Sequence, residues 1–389
     1  MKSKYTRKRA VLAALGWFDP RFIVGIGRYA REAGWHLEAR CMLEATYPTK
    51  WQGDGVIIQN SATRPMREFI QSHVGKQPIV IFDGEVQGLR LPLVTTDNFH
   101  AGRLAATHFL NCGHRNFVWI GVSRGSIERD RRDGFVQTLA DAGKRCTVLR
   151  WTSGAGNTTD WKRRKFWMSG QLKKVAKPLA AFAIDDLLAA DVIEAAFDAR
   201  LKVPDDVAVI GVGNIETACE CSSVPISSVD LNLGEVAYRA AHLLGQVMSG
   251  QRVARNPIVI PARGLVLRKS SDTLAVVHPG LSRALKFIAD RYADDIGIEE
   301  IARAGGVSRR GIQYAFVREL RRTAAQHLLG VRLDRAKRRL IETQDKLEPI
   351  AEQCGFKSVR NLHRCFIREF AMAPRTWRNQ QSFPSQAIT

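Results

Sequence analysis

The chain has 389 residues, of which 45% are hydrophobic and 25% are charged, so it is long enough for two or three domains with well-buried cores. Its net charge of +21 favours a polyanionic partner, although a generally basic proteome would give the same balance. Residues 278–389 hold 21 Lys and Arg against 12 Asp and Glu, so the net positive charge per residue is nearly twice as high there as elsewhere. No apolar run is long enough to cross a bilayer, which excludes a membrane-spanning protein.

The cysteine content indicates a reducing, intracellular environment. There are seven cysteines, an odd number, and neither they nor the nine histidines show the spacing of a metal site. We therefore expect no metal and no cofactor. The start of the chain briefly resembles a secretory signal, but Asp19, Pro20 and Arg21 end its apolar run, so we expect a cytoplasmic protein.

After a basic tail at residues 1–8, residues 9–270 alternate short apolar runs with amphipathic segments. This pattern predicts an α/β domain of parallel sheets covered by helices. The predicted strands are Val11–Leu15, Gly55–Ile58, Pro78–Phe82, Phe117–Ile120, Leu179–Ile184, Val207–Val212 and Pro257–Pro261. The predicted helices are Phe22–Ala33, Ala101–Asn111, Gly134–Ala142, Leu187–Ala199 and Leu233–Met248.

Ligands of such sheets bind beyond the carboxyl ends of the strands, so the residues that follow each apolar run are candidates for a binding site. Carboxylates and amides would bind ligand hydroxyls, and aromatic rings would cover an apolar face. At Trp17 and Phe18, packing between lobes is an equally good interpretation, and Asp186 could simply favour a helix N-terminus. The residues at these strand ends are Trp17, Phe18, Asp19, Gln59, Asn60, Asp83, Asp185, Asp186, Gly213 and Asn214. The candidates for ligand binding among them are Trp17, Phe18, Asp19, Gln59, Asp186 and Asn214.

Residues 271–279 form a polar linker closed by Pro279, and residues 280–384 predict an all-α domain with two helix-turn-helix units. In each unit a short helix ends at a glycine turn, and a serine then caps a second helix. The turns are at Gly306 and Gly355, and the caps are Ser308 and Ser358. The apolar stripes of the two capped helices are Ile312, Ala315, Phe316 and Leu320, and Leu362, Cys365, Phe366 and Phe370.

The outward faces of the capped helices are rich in Arg, Gln, Asn and His, as in helices that read the DNA major groove. An ordinary amphipathic surface helix is the alternative, and arginines at these positions could contact phosphates rather than bases. The candidate DNA-binding residues are Arg309, Arg310, Gln313, Tyr314, Arg360, Asn361, His363 and Arg364.

A longer helix separates the two units. Thr323 and Gln326 match a capping box at its start, and Leu329, Leu333, Ala336 and Leu340 form its apolar seam. As a rigid spacer, it could hold the two readers about 34 Å apart, which is one turn of DNA.

From about residue 278 to 384 the chain resembles the DNA-binding domain of the AraC family of bacterial transcription regulators. Two residues depart from the family pattern: Gly311 lies inside the first reader helix, and Gly297 replaces the usual hydroxyl residue before the preceding helix. The resemblance is carried by Ala302, Ser308, Phe316, Arg332, Leu333, Ala336, Gly355, Phe356, Ser358, Arg364, Phe366, Arg368, Phe370, Pro374, Trp377 and Arg378.

Residues 9–270 resemble the ligand-sensing domain of LacI-type repressors, which is itself similar to periplasmic sugar-binding proteins. The resemblance implies two lobes that close on a ligand and assigns Arg131 to ligand binding. Gly213 stands where related sensors often carry an acidic residue. The resemblance is carried by Asp97, Asn98, Gly102, Ala105, Gly113, His114, Arg115, Arg131, Gly134, Phe135, Asp185, Asp186, Pro225, Ser227 and Ser228, and by residues 203–211 and 261–270.

The two resemblances together imply a homodimeric regulator that binds a double-stranded DNA operator and activates sugar-catabolism genes, with RNA polymerase as a possible partner. D-xylose is the first candidate effector, and a hexose, a uronate, a purine or a repressor role are the alternatives. An α/β enzyme is a remote alternative, because the sequence has no dinucleotide fingerprint, no P-loop, no nucleophile elbow and no zinc-protease motif.

Overall fold

The computed structural model describes residues 8–41, 46–48, 50–59, 63–86, 88–122, 125–152, 160–254, 256–273, 278–320, 322–343, 345–370 and 372–381. Most of the predicted basic tail and part of the predicted linker lie outside these residues. The chain divides into two compact units. The first contains residues 1–108 and 116–272, and the second contains residues 109–115 and 273–389.

The first unit is an α/β structure, as the alternating pattern predicted. Its strands are β1 (Ala10–Leu15), β2 (His36–Glu38), β3 (Gly55–Gln59), β4 (Ile79–Phe82), β5 (Leu93–Thr96), β6 (Asn116–Gly121), β7 (Cys146–Arg150), β8 (Leu179–Ala183), β9 (Val207–Val212), β10 (Ser227–Asp230), β11 (Ile258–Ile260) and β12 (Gly264–Val266). Its helices are α1 (Pro20–Glu32), α2 (Arg64–His73), α3 (Asn98–Asn111), α4 (Ser126–Asp141), α5 (Trp161–Lys174), α6 (Asp186–Asp198), α7 (Glu216–Cys221) and α8 (Leu233–Met248).

These strands form two six-stranded sheets. The first has the order β11-β5-β4-β3-β1-β2 and is parallel throughout. The second has the order β12-β10-β9-β8-β6-β7 and is parallel except for the pairing of β10 with β12. All seven predicted strands are present, and the predicted fold class is confirmed.

The chain crosses between the two sheets three times, after β5, after β10 and after β11. Each sheet therefore belongs to a separate lobe, and α3 and α4 pack together at a very short distance. An ideal Cβ on Gly134 would lie 2.0 Å from the carbonyl oxygen of Phe99, so only glycine fits there. Residues near the carboxyl ends of strands from both lobes meet: Arg21 Nη1 donates to the carbonyl oxygen of Asn214 at 3.2 Å. We call the region between these strand ends the cleft, because ligands of such sheets bind beyond the carboxyl ends of the strands.

Strands in the middle of each sheet are buried on both faces, which explains their continuous apolar runs. Every residue of β3 and β8 is buried. In the first lobe, the core includes Leu12, Ile58 and Phe69, and in the second it includes Ile120 and Val209.

The second unit is helical and has two separate cores, one for each helix-turn-helix unit. Its helices are α9 (Pro279–Arg291), α10 (Ile298–Gly305), α11 (Arg309–Leu320), α12 (Ala324–Glu342), α13 (Leu347–Gln353), α14 (Val359–Phe370) and α15 (Pro374–Gln381). Phe316 lies in the first core and Phe366 in the second. Helix α12 contributes Leu328 to the first core and Leu333, Ala336 and Leu340 to the second.

Candidate functional site

The first candidate reader is helix α11. Ser308 Oγ accepts a hydrogen bond from the Gly311 amide at 3.1 Å, so the predicted cap is confirmed. Ile312 and Phe316 are fully buried on its inner side, and this packing fixes which side of the helix faces solvent.

The outer side of α11 carries the residues that the sequence predicted to contact DNA. Tyr314 is 64% exposed, and the guanidinium carbon of Arg318 lies 5.9 Å from the centre of its ring. Arg309 forms an ion pair with Glu299 of α10, with Nη1 and Oε1 at 2.8 Å, so this guanidinium is partly engaged within the protein. The four predicted residues are exposed: Arg309, Arg310, Gln313 and Tyr314.

The second candidate reader, α14, is built in the same way. Ser358 Oγ accepts a hydrogen bond from the Asn361 amide at 3.1 Å, and Leu362 and Phe366 are fully buried. Arg360, His363 and Arg364 are exposed, whereas Asn361 is half-buried. The surface forms a shallow concavity of about 650 Å³, lined by Lys357, Ser358, Arg360, Asn361, His363, Arg364 and Ile367.

Both reader helices favour an anionic partner at their N-terminal ends. Neither α11 nor α14 has an acidic residue in its first turn, and each has arginine there. The positive end of the helix dipole and these arginines act in the same direction on a DNA phosphate.

The helix between the readers has the predicted capping box. The Thr323 amide donates to Gln326 Oε1 at 2.8 Å, and the Gln326 amide donates to Thr323 Oγ1 at 3.2 Å. Further along α12, the ammonium of Lys337 lies 4.6 Å from the ring centre of Phe370 and 4.8 Å from that of Trp377. These cation–π contacts hold α14 and α15 against the spacer.

In the first unit, Asp19 lies at the carboxyl end of β1 and is only 3% exposed. Its carboxylate accepts hydrogen bonds from the Arg21 amide and Nε at 2.9 Å, and from Arg21 Nη2 at 2.6 Å. Arg21 Nη1 reaches the other lobe, where it donates to the carbonyl oxygen of Asn214 at 3.2 Å. Asp19 therefore caps α1 and fixes an arginine that connects the two lobes.

Gln59 and Asp83 lie at the ends of the neighbouring strands β3 and β4. Gln59 accepts a hydrogen bond from the Gly16 amide at 3.0 Å and donates to Asp83 Oδ2 at 3.3 Å. Burial raises the pKa of Asp83, and the positive charge of Arg131 acts against this rise. Asp83 also has a left-handed backbone, with φ at 57°, which is unusual for a residue other than glycine and is common at binding sites.

Arg131 is 7% exposed and belongs to α4 in the second lobe. Its Nε donates to Asn98 Oδ1 at 2.9 Å, and its Nη1 donates to the carbonyl oxygen of Ile184 at 2.7 Å. These contacts orient the guanidinium, which lies close enough to Asp83 to change its pKa.

Asp186 is fully buried, and both of its carboxylate oxygens are occupied. Oδ1 accepts a hydrogen bond from Ser228 Oγ at 2.5 Å, and Oδ2 accepts one from the Ile215 amide at 2.7 Å. Burial raises the pKa of Asp186, and these hydrogen bonds act against the rise. In this structure Asp186 joins α6, β10 and the segment after β9.

Asn214 is half-buried at the carboxyl end of β9, with its side chain between two charged residues. Its Oδ1 accepts a hydrogen bond from Arg268 Nη2 at 2.9 Å, and its Nδ2 donates to Asp230 Oδ2 at 3.4 Å. Trp17 and Phe18 are 37% and 57% exposed. The edge of Trp17 packs on Phe22, with ring centres 5.2 Å apart, so Trp17 has a packing role whatever else it does.

Family models match both halves of the chain. The model of a periplasmic binding protein-like domain matches residues 106–271, and that of a helix-turn-helix domain matches residues 301–380. The chain is 24% identical to the xylose operon regulatory protein of Haemophilus influenzae, over 97% of this chain and 99% of that protein. The Escherichia coli protein of the same name is 23% identical over 94% of this chain and 95% of its own length.

Among solved structures, that of the "xylose-binding transcription activator xylR" is similar, with a TM-score of 0.59. It is 21% identical and covers 97% of this chain and 100% of that chain. The chain is a transcription regulator that joins a periplasmic binding protein-like domain to a helix-turn-helix domain. The expected order of a periplasmic binding protein-like sensor followed by a helix-turn-helix reader is confirmed. The relatives that match over nearly their full length are regulatory proteins, not enzymes.

Two polar residues of the regulator's cleft were missed as ligand-site candidates. Asp83 directly follows the apolar run of β4, so the strand-end rule indicated it, but it was not chosen as a ligand-binding candidate. Arg268 reaches Asn214 from far along the chain, and no local pattern indicates that contact.

Two features are absent from the part of the chain that the structure describes. In this part of the chain, no helix has the length and hydropathy needed to cross a membrane. Among the same residues, no group of three or more His, Cys, Asp and Glu side chains is arranged to hold a metal ion.

Proposed function

We propose that the regulator activates sugar-catabolism genes when a small neutral sugar, with D-xylose as the first candidate, binds between the lobes of its sensor. The observation that carries the proposal is the group of buried or half-buried polar residues at the carboxyl ends of β1, β3, β4 and β9. These residues are Asp19, Gln59, Asp83 and Asn214, and they come from both lobes. The names of the full-length relatives support xylose as the effector and activation as the mode of control.

The chemistry of the cleft suits a polyhydroxylated ligand. Arg131 and Asn214 offer hydrogen-bond donors, and Asp83 offers an acceptor whose partners leave part of its hydrogen-bonding capacity available. Phe18 is the most exposed aromatic residue beside this cluster and supplies a flat surface for an apolar sugar face. Trp17, Gln59, Asp19 and Asp186 complete the proposed site. Asp19 positions Arg21 through its hydrogen bonds, and Asp186 binds the Ile215 amide and Ser228 Oγ, the latter of which accepts a hydrogen bond from the Asn214 amide.

A neutral sugar fits the charge balance of the cleft better than a uronate does. Asp186 is buried and Asp83 is half-buried there, and desolvation raises the pKa of both carboxyl groups. An added carboxylate would repel their negative charges and raise these pKa values further. A hexose or a purine in the cleft, and repression instead of activation, are the other outcomes that the experiments below distinguish.

For the reader, we propose that Arg310, Gln313 and Tyr314 of α11 and Arg360, His363 and Arg364 of α14 face the DNA bases. Their exposure on the outer sides of two serine-capped helices supports this assignment. Asn361 is half-buried at the start of α14, and Arg309 is paired with Glu299. These two residues suit phosphate contacts near the helix N-termini.

The proposal includes a cytoplasmic homodimer that binds a double-stranded operator and contacts RNA polymerase. Dimerisation places two reader units on one operator and raises affinity through the effective concentration of the second unit. Analytical ultracentrifugation of the full chain, with and without sugar, tests the dimer. A monomer at micromolar concentration in both conditions would contradict it.

Thermal-shift measurements of the full chain with pentoses, hexoses, uronates and nucleobases test the effector. A ligand at a hundred times its dissociation constant stabilises the folded state by about 2.7 kcal/mol, so D-xylose should raise the melting temperature by several degrees. A shift with purines or hexoses alone would replace xylose as the effector. No response to any sugar would remove the sugar-sensing proposal.

Two neighbouring arginines of α4 provide a matched pair of variants. Arg131→Gln should abolish the shift, because it removes the buried guanidinium from the cleft. Arg132→Gln should retain the shift, because Arg132 is paired with Asp133 at 2.7 Å and is more exposed. Each shift is measured from the melting temperature of the same variant without ligand, so a general loss of stability does not imitate the result.

A further inference from the structure

The two helix-turn-helix units contact each other directly, in addition to their connection through α12. The contact is centred on Arg332, which lies in the middle of α12. Its Nε donates to the carbonyl oxygen of Tyr292 at 2.8 Å, and its Nη2 donates to that of Asp294 at 2.7 Å. Both carbonyls belong to the loop between α9 and α10. One planar guanidinium therefore holds two points of the first helix-turn-helix unit.

The turn of the second helix-turn-helix unit packs against the same loop. Gly355 has φ of +75°, and an ideal Cβ on it would lie 2.6 Å from the carbonyl oxygen of Tyr292 and 2.9 Å from that of Ala293. The same Cβ would lie 2.8 Å from Arg332 Nε. The backbone at Gly355 therefore approaches the first helix-turn-helix unit as closely as glycine permits.

Other contacts around this loop are weaker. The guanidinium carbon of Arg335 lies 5.2 Å from the ring centre of Tyr292. Lys357 and Asp295 are 3.9 Å apart, but their side chains are 81% and 86% exposed, and exposed pairs contribute little. Arg332 is thus the side chain with two short hydrogen bonds to the loop, and burial lowers its pKa.

We infer that Arg332, seated against Gly355, is a positioning residue that sets the relative orientation of the two reader helices and thereby the operator spacing the regulator accepts. Helix α12 packs into both cores, but its N-terminal half belongs to the first and its C-terminal half to the second. A helix between two cores allows small changes in angle at each end, whereas a second contact beside it removes this freedom. Two readers held in one orientation bind adjacent DNA segments with a high effective concentration.

The first experiment measures operator spacing. The native full-length protein selects an operator from random duplexes, and one base pair is then inserted or deleted between its two contact segments. Native protein should lose about tenfold or more in affinity on either change. Arg332→Met should bind the selected spacing about tenfold more weakly, show a much smaller spacing penalty, and bind a duplex with one contact segment scrambled as well as native protein does.

Two further variants separate positioning from loss of charge. Arg338→Met removes the same charge from another side of α12 and should keep the native spacing penalty. Arg332→Lys retains one donor for the loop and should have an intermediate penalty. If Arg332→Met keeps the full spacing penalty, or loses affinity equally for the complete and the scrambled duplex, the inference is wrong.

The second experiment measures the orientation without DNA. Spin labels are introduced as genetically encoded residues at Val317 and Ile367, which are 49% and 41% exposed on α11 and α14. Double electron–electron resonance should give one narrow distance distribution for native protein and for Arg338→Met, and a broad one for Arg332→Met. If Arg332→Met does not fold, Arg332→Lys decides: a broadened distribution supports the inference, and an unchanged one overturns it.

Discussion

Two glycines of the second unit illustrate opposite constraints on a single residue. Gly355 adopts a left-handed backbone and has no room for a Cβ, because the carbonyl oxygen of Tyr292 would be 2.6 Å away. Gly330 lies inside α12, where the nearest atom to an added Cβ is Arg322 Nη1 at 3.8 Å. The first position requires glycine, and the second only tolerates it.

We expect Gly355→Ala to lower the free energy of unfolding by about 2 kcal/mol or more, because it combines left-handed strain with a steric clash. Gly330→Ala should raise it by about 1 kcal/mol, because alanine is the better helix former at an open position. Urea denaturation followed by circular dichroism measures both. An unchanged free energy of unfolding for Gly355→Ala would contradict the close approach of the two helix-turn-helix units.

Two arginines of α14 should have different effects on DNA recognition. Arg364→Ala should cost about 1–3 kcal/mol on the selected operator and relax the preference at one base position, as expected for a base contact. Arg368→Ala should weaken binding equally to all duplexes and reduce the salt slope by about one, as expected for a phosphate contact. Binding titrations at several salt concentrations against single-base operator variants test both. Equal relaxation of specificity by the two variants would contradict the assignment.

At the scale of one element, α12 has two structural functions. It packs into two cores, and it also carries Arg332, which binds the loop between α9 and α10 of the first helix-turn-helix unit. Its buried histidine belongs to the first function. His327 is 7% exposed, and its ring centre lies 5.7 Å from that of Phe316.

Burial, together with the nearby charge of Arg322, lowers the pKa of His327 to about 3. The ordinary value is about 6.5, so the folded state disfavours the protonated ring. The contribution of the neutral His327 ring to the stability of the folded state is complete above about pH 6.5. It is lost as the pH falls towards the pKa of His327 in the folded state. Between pH 7.5 and pH 5.0 the loss should be roughly 2 kcal/mol.

The prediction is tested with His327→Met, which should show a much smaller loss of stability over the same pH range. His363→Met serves as the control, because His363 is exposed on α14 and its removal should leave the loss unchanged. Urea denaturation at the two pH values, with hydrogen exchange of the α12 amides, locates the effect. Equal pH dependence in the three proteins would show that His327 is solvated.

At the scale of the whole molecule, a regulator needs a free-energy coupling between its two sites. A sugar that changes DNA affinity by a given factor must find its own affinity changed by the same factor when DNA is bound. The described structure contains a sensor with polar residues from two lobes and a reader with two capped helices. The predicted linker at residues 271–279 joins them along the chain.

We therefore expect operator DNA to change the affinity for the effector sugar by about 5- to 150-fold, the usual range of such coupling. Isothermal titration of sugar into the full chain, with and without the selected operator, measures the factor. The reverse titration, of operator with and without sugar, must give the same factor. Identical sugar affinity in both conditions would contradict ligand control of DNA binding.

The sequence by itself determined several features that depend on neighbours within four residues. The caps at Ser308 and Ser358 and the capping box at Thr323 are as predicted, because each is a contact across one helical turn. Most of the buried central strands were predicted because burial on both faces leaves a continuous apolar run. Five strands were missed: β2, β7 and β12 are edge strands without such a run, and β5 and β10 are interior strands of four residues that are half or more polar.

Only the tertiary structure decided which distant residues meet. Arg21 and Asn214 are 193 positions apart, and Arg332 and Tyr292 are 40 apart. Such contacts depend on strand order, on the three crossings between lobes and on helix packing, so the same residues in another topology would not touch. The sequence therefore indicated a sensor and two reader helices. The folded chain showed that Asp19 and Asp186 accept internal hydrogen bonds on both carboxylate oxygens and that Arg332 joins the two helix-turn-helix units.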